Sequence, residues 1–339
     1  MHPTTIIFHS PLEENAPADE LDVLEEAAFF RSGLESLGYV VQVMPFPYDL
    51  LQVATILDKL KPRLVVNLTE TLFGDGRLVH LAPAIFDHFG IPYTGCSSEA
   101  IYLSSHKILS KRLMAAHGIP TPGYLDHESL KDRDITVPEK PYMIKSVWEH
   151  ASYGLDERKK LLFRGREELI SGFPDLATAA SQYFAEEYIH GREFNVSVLG
   201  TPWGPKVLPV AEMQFDYPDD KPRIVGYRAK WDTGSFEYQH TSRRFLGENE
   251  ETEIQEVLHQ LCVKCWHVFR LRGYARVDFR IDMQGRAYVL EVNANPCISE
   301  DSGFVAAAIK ANMTASDLIA RIIDDTMAEK NIVGSQKDN

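Results

Sequence analysis

Apolar positions in the first 95 residues switch repeatedly between two periods. Thr4–Phe8 is a short apolar run, read as a strand. Over Asp22–Leu37 the apolar residues fall at Val23, Leu24, Ala27, Phe30, Leu34 and Leu37, which is helical spacing, and Gly38 follows as a stop. Tyr39–Met44 predicts a second strand, Leu51–Leu60 a helix and Arg63–Leu68 a continuous apolar strand. Val79–Phe89 predicts another helix, closed by Gly90 and Pro92. Strand–helix alternation implies a parallel sheet with helices on both faces.

The pattern changes near Cys96. His106–His117 predicts a helix ended by Gly118-Ile-Pro-Thr-Pro122. Pro141–Lys145 and Lys160–Phe163 read as strands joined by a polar turn, Glu149–Glu157, in a hairpin-like arrangement. Phe184–Ile189, Glu193–Leu199 and Val207–Val210 are further strands. A polar stretch from Asp216 to Arg244 precedes a long amphipathic helix, Glu253–Leu271. Gly273–Ile281 and Arg286–Val292 form a hairpin around Met283-Gln284-Gly285. Helices over Val305–Ala311 and Asp317–Met327 close the chain. The expected organisation is an N-terminal α/β unit (1–95), a central α+β unit (96–185), a C-terminal α+β unit (186–329) and a flexible tail (330–339).

Composition narrows the partners. The net charge of −14 argues against nucleic acid or an anionic membrane, both of which want a basic stripe. No apolar run approaches the roughly 20 residues of a membrane span, and Met1–Ser10 lacks the zones of a signal peptide. The four cysteines, Cys96, Cys262, Cys265 and Cys297, are too scattered for a disulfide framework, which points to the cytoplasm. Cys262 and Cys265 have CxxC spacing, but they continue the apolar face of Leu258 and Leu261 and lack a second ligand pair.

The late hairpin carries the sharpest chemical signal. Arg276, Asp278 and Arg280 share one face by period two, as do Glu291 and Asn293. Asp278, Glu291 and Asn293 can converge as hard oxygen donors suited to Mg²⁺; a solvated sheet face would show the same alternation. Lys107, Lys145 and Lys230 sit singly on apolar elements or beside Trp231, as phosphate partners or as snorkelling surface lysines. The turn Glu149-His-Ala-Ser-Tyr-Gly154 can lay backbone N–H groups over phosphates. Phe184–Glu193 places acids along an apolar strand edge, where adenine and ribose can bind. No P-loop and no GxGxxG occurs, so a nucleotide needs another kind of site.

Together these pieces resemble the ATP-grasp superfamily, and within it D-alanine–D-alanine ligase and its relatives. The resemblance runs from about residue 20 to residue 325 and is carried by five strings in family order. They are Gly90-Ile-Pro-Tyr-Thr-Gly95, His106-Lys107 through Pro122, Glu187–Phe194, Gly273–Phe279 and Leu290–Pro296. It implies ATP and two Mg²⁺ or Mn²⁺ ions as cofactors. It implies that Lys107, Lys145 and Ser152 hold phosphates, that Glu186, Glu187, Tyr188 and Ile189 meet adenine, and that Glu193 holds the ribose. Lys230 would close over the triphosphate on a mobile lid, Asp216–Arg244. Asp278, Glu291 and Asn293 would ligate the metals, Arg276 would stabilise a tetrahedral intermediate, and Ser302 would meet a substrate carboxylate.

The implied activity is an ADP-forming carboxylate–amine ligase working through an acyl phosphate, with small amino-acid-like substrates; a homodimer is compatible with it. Several substrate positions depart from the family pattern. A His-Gly is Thr69-Glu70, a turn serine is Ala151, a lid tyrosine is Trp231, and the residues after the metal asparagine are Asn295-Pro296-Cys297. Glu70, Ala151, Trp231 and Asn295 are therefore candidate substrate residues, and Asp19, Glu20 and Asp22 are candidates for an amine-gripping acid. The expectation is a substrate pair other than two D-alanines, as in natural-product biosynthesis. A D-alanine–D-alanine ligase of cell-wall synthesis and a non-catalytic nucleotide-binding protein are the alternatives.

Overall fold

The computed structural model describes residues 4–13, 16–148, 158, 160–173 and 182–337. The turn Glu149–Gly154, with Ala151 and Ser152, lies outside the described residues. In chain order the first elements are β1 (Thr4–His9), α1 (Ala18–Ser36), β2 (Val40–Pro45), α2 (Leu50–Leu60), β3 (Leu64–Leu68), α3 (Leu81–His88), α4 (Ser98–Ser105) and α5 (Lys107–Ala116). Then come β4 (Tyr124–Asp126), α6 (His127–Lys131), β5 (Pro141–Ser146), β6 (Phe163–Arg164), α7 (Gly165–Gly172) and β7 (Tyr183–Glu187). The last part holds β8 (Gly191–Leu199), β9 (Lys206–Val207), β10 (Ala211–Phe215), α8 (Tyr227–Trp231), α9 (Phe236–Gln239), β11 (Thr241–Phe245), α10 (Thr252–Val268), β12 (Tyr274–Asp282), β13 (Ala287–Ala294), α11 (Gly303–Lys310) and α12 (Ala315–Lys337).

Three sheets follow. The first is parallel, in the order β2-β1-β3. Its alternation sends Ile6 and Phe8 to one core, with Phe46, Val53, Leu57 and Phe86. Ile7 goes to the other, with Phe30 and Leu34 of α1. That second core also takes Phe304 and Val305 of α11 and Leu318, Ile319 and Ile322 of α12, so the C-terminal helices close on the N-terminal sheet. The second sheet is antiparallel, β4-β7-β5-β6. The third is antiparallel, β11-β10-β8-β12-β13, with β9 on β8. Its inner face packs Phe194, Val196, Val277, Phe279 and Val289 against Leu258, Cys262, Cys265 and Phe269 from α10 and its C-terminal end. Each fully buried side chain of this kind contributes about 1.5–3 kcal/mol. Cys262 and Cys265 are thus core residues with free thiols.

The structure departs from the expected elements in several places, among them the unforeseen β4, α6 and α7. Helix α4 was not expected, because eight residues with mixed polarity carry little periodicity. Beyond Val207 the strand expected to reach Val210 gives way, and β10 begins at Ala211. Helix α12 continues to Lys337, past the expected end at Met327 and into the segment read as a tail.

The polar stretch 216–244 also folds more than its composition suggests. It buries Tyr217, Ile224 and Ala229, and Glu237, 2% exposed, takes ion pairs from Lys221 (2.5 Å) and Arg228 (3.2 Å). The Tyr227 hydroxyl donates to Asp19 of α1 at 3.1 Å. The stretch is therefore well packed and tied to α1, although its composition suggests little burial.

Candidate active site

The outer face of the third sheet is a polar patch set by cross-strand register. On β8, Glu193, Asn195 and Ser197 stand opposite Arg280, Asp278 and Arg276 of β12. On β13, Glu291 and Asn293 stand opposite Asp278 and Arg276. A register shift at Asp278/Phe279 makes this possible. Strict alternation would put Glu291 on the same face as Val289, in the core. The extra residue, Leu290, turns Glu291 and Asn293 outward, as bulges beside active sites often do.

The donor set is tightly knit. Arg276 grips Asp278 through Nε (2.7 Å) and Nη2 (2.8 Å). Asn195 donates to Asp278 at 2.8 Å, and Asn293 Nδ2 donates to Asp278 at 3.0 Å and to Glu291 at 3.3 Å. Burial lowers the Arg276 basicity, but attraction to Asp278 and Glu291 outweighs it and holds the guanidinium charged. Two carboxylates and an amide oxygen within reach of one another fit Mg²⁺, whose hard oxygen chemistry they match. When bound there, the ion would neutralise phosphate charge.

Lysines surround this patch. Helix α8 carries Lys230 into it; burial and repulsion from Arg276 lower its pKa, while Glu291, Asp278 and Glu193 act in the opposite sense. Lys145 at the end of β5 pairs with Glu186 of β7. Burial lowers its pKa, but Glu186, Glu291 and Glu193 lift it above its ordinary value. Glu193 is pushed up by burial, although Arg280 donates to it at 2.9 Å. Lys107 starts α5, and its backbone N–H donates to the Val147 carbonyl at 3.0 Å.

The expected adenine segment sits beside this patch. The Glu187 N–H donates to the Gly123 carbonyl, and its carboxylate accepts from Lys140 at 2.9 Å. Tyr188 is buried with Met143 and Ile224 and lies under the Arg280 guanidinium, and Ile189 is buried next to it.

Sequence reasoning missed Lys111. It is 1% exposed in its side chain and meets Glu186 at 2.6 Å, so Glu186 lies between two lysines. The available signal was its position four residues after Lys107, on the buried face of α5 with Ile108 and Met114. Asn195, Arg280 and Arg243 were also missed as members of the site.

The substrate end is acidic. Glu70 follows β3 at the carboxyl end of the parallel sheet, where ligands of open α/β sheets bind. Its N–H donates to Ser10 Oγ at 2.8 Å. Asp19 and Asp22 of α1 face it, and Glu26 accepts the Ile298 N–H at 2.8 Å. Cys297 donates its thiol to Asp22 at 3.0 Å. Glu70 is exposed at the surface yet hemmed in by protein. Burial, then Asp22 and Asp19, raise its pKa to about 7.

A raised carboxyl favours the folded state most below its unfolded value of 4.5, and that contribution is lost as pH rises through about 7. Glu70→Gln is therefore expected to melt higher than the parent at about pH 8 and equally at about pH 4. Identical melting at both pH values would show that Glu70 is not held in this way.

Trp231 buries its indole N–H without a partner. Ser302 caps α11, accepting the Val305 N–H at 3.2 Å, which leaves its O–H free to donate. Asn295 is tied to the backbone of the segment before α4. Its Oδ1 accepts the Cys96 N–H at 2.7 Å, and its backbone is left-handed (φ 55°). It lies over Gly95, where an added Cβ would come within 2.3 Å of it. Gly273 backs onto the same glycine, where a Cβ added to Gly273 would come within 2.9 Å of the Gly95 Cα. Asn295 thus holds the Gly95–Cys96 backbone through its amide oxygen.

Such an arrangement, with three sheets and a patch of carboxylates, amides and lysines between two of them, is that of an ATP-grasp ligase. A family model described as "D-ala D-ala ligase C-terminus" matches residues 113–324. A D-alanine–D-alanine ligase of Chromohalobacter salexigens is 31% identical, covering 70% of this chain and 70% of its own length. An uncharacterised protein of Sinorhizobium fredii, y4sG, is also 31% identical, covering 77% and 74%. The D-alanine–D-alanine ligase of Bacillus anthracis, solved in complex with ATP, superposes with a TM-score of 0.71 at 19% identity, covering 98% and 99%. The chain belongs to the D-alanine–D-alanine ligase family, whose members are ADP-forming ligases that make a C–N bond with ATP and Mg²⁺. No helix among the described residues is long and apolar enough to cross a membrane.

Proposed function

We propose that this ligase joins an amino-acid-like acyl donor to the amine of a second amino acid, and that the pair is not two D-alanines. ATP phosphorylates the donor carboxylate. The amine then attacks the acyl phosphate, inorganic phosphate leaves, and an amide remains. In this reading Lys107, Lys145 and Lys230 position the phosphates, and the Glu186–Ile189 segment with Glu193 takes the nucleoside. Arg276 meets the charge that collects on the carbonyl oxygen, and the docked lid excludes water from the acyl phosphate. The nucleotide is clasped between units 96–185 and 186–329, and the enzyme works in the cytoplasm.

The observation that carries the substrate reading is the acidic end built by Asp19, Asp22 and Glu70, where Tyr227 of the helix that carries Trp231 donates to Asp19. Full charges must find partners once desolvated, so this end suits a donor bearing an ammonium group. The flat ring of Trp231 suits a donor larger than alanine.

The test is steady-state ADP release with D-alanine alone against L-amino acids and larger carboxylates, singly and in pairs. A heteromeric pair should give the highest kcat/KM. If D-alanine alone matches every panel member, the substrate reading fails and a D-alanine–D-alanine ligase remains.

A further inference from the structure

Arg243 of β11 stands at the start of α11. Its Nη2 and Cζ lie 3.2 Å and 3.4 Å from the point where a Cβ on Gly303 would sit, one residue after Ser302. The side chain is exposed, but protein and the neighbouring Arg276 crowd it enough to lower its basicity, with Asp301 acting the other way. The Arg243 guanidinium makes no hydrogen bond or ion pair among the described residues. Arg276, by contrast, directs two of its N–H groups at Asp278.

Two guanidiniums side by side repel, and only one of them has its counter-ion in place. We propose that Arg243 binds the carboxylate of the amino acid that supplies the amine, and so sets specificity for an acid over a neutral amine. This deepens the proposed function and rests on it. A guanidinium fork matches a carboxylate with two parallel N–H···O bonds. The Ser302 O–H completes the pocket. Arg276 is then released from carboxylate binding for the reacting carbonyl oxygen.

The test compares the parent with Arg243→Ala and Arg243→Lys by ADP release. The probes are D-alanine, L-alanine, L-serine and L-glutamate, each against its α-carboxamide, in pairs drawn from the same panel. The parent should prefer acid to amide. Arg243→Ala should raise KM for the preferred amino acid by roughly 10–100-fold and bring acid and amide together, while KM for ATP stays constant. Arg243→Lys should recover part of the preference. An Arg243→Ala enzyme that keeps the parent's acid-to-amide ratio, or loses ATP and amino-acid affinity equally, overturns the inference and leaves the proposed function standing. A parent that releases no ADP with any pair overturns both.

Discussion

Arg276→Ala lowers kcat by roughly 10²–10³, the usual loss for one oxyanion donor, while KM for ATP changes little. Arg276 projects from β12 two residues before Asp278 and on the same face, within the patch that Lys230 overhangs. An arginine has no use there in a protein that only holds nucleotide, because Lys145 and Lys230 already supply cations. Its guanidinium is anchored by Asp278 through Nε and Nη2, so Nη1 is fixed in direction without being engaged there. In the proposed reaction such a fixed donor would meet the developing charge without reorienting. Removing it leaves Asp278 with Asn195 and Asn293 as partners, so the fold survives. Single-turnover measurements with saturating ATP should show the loss in amide formation, after acyl-phosphate formation. A variant with near-parental kcat would contradict the assignment. A variant that needs far more Mg²⁺ but then recovers would move Arg276 from the carbonyl oxygen to the support of Asp278.

Much of this site is visible in the chain because strands announce their faces. Arg276, Asp278 and Arg280 alternate with Val277, Phe279 and Ile281, and the structure separates them into a wet face and a core face. The same rule applied across β13 would have failed, since the bulge at Leu290 is fixed by pairing with β12 and has no local signature. Lys111 was hidden for a different reason. A lysine on an apolar helix face reads as a snorkelling side chain, and its partner Glu186 lies 75 positions later in the sequence. The lid misled through composition. Its polar residues hold one another, Glu237 with Lys221 and Arg228, and Tyr227 reaches Asp19, 208 positions away. Asn295 stood in a family string and so read as a substrate residue, but only the fold shows that its amide oxygen holds Cys96.

Charge is distributed unevenly around the candidate site. Lys145 and Lys230 lie among Glu193, Asp278 and Glu291, and Arg243 stands beside Gly303. Asp19, Asp22, Glu26 and Glu70 occupy the end under the N-terminal sheet. A net charge of −14 conceals this polarity entirely. An amino acid carries both signs, and such a gradient orients it before any close contact forms.

Glu186→Ala destabilises the fold by about 3–5 kcal/mol, the usual loss when one partner of a buried ion pair is removed. Glu186 is 3% exposed and lies between Lys111 and Lys145, with Lys111 at 2.6 Å. Burial alone would raise its pKa, yet the two lysines hold the carboxyl below its ordinary value. Without the carboxylate, Lys111 keeps the Thr121 hydroxyl at 2.9 Å and the Pro122 carbonyl at 3.4 Å, and no counter-charge at hydrogen-bond distance among the described residues. Burial already depresses Lys111 more than Glu186 lifts it, so the variant's Lys111 should lose its proton more readily still. The native state then binds fewer protons than the unfolded chain, and stability rises with pH toward the ordinary lysine range. The deficit of Glu186→Ala should therefore be largest near neutral pH and shrink by about pH 10. A companion variant separates charge from packing: Lys111→Met with Glu186→Ala should recover part of the loss, because it removes the stranded cation. Urea unfolding of the parent, the single and the double variant gives the three values needed. If the single variant unfolds with the parent, or if the double variant is no better than the single, the buried ion pair is not what holds this strand to α5.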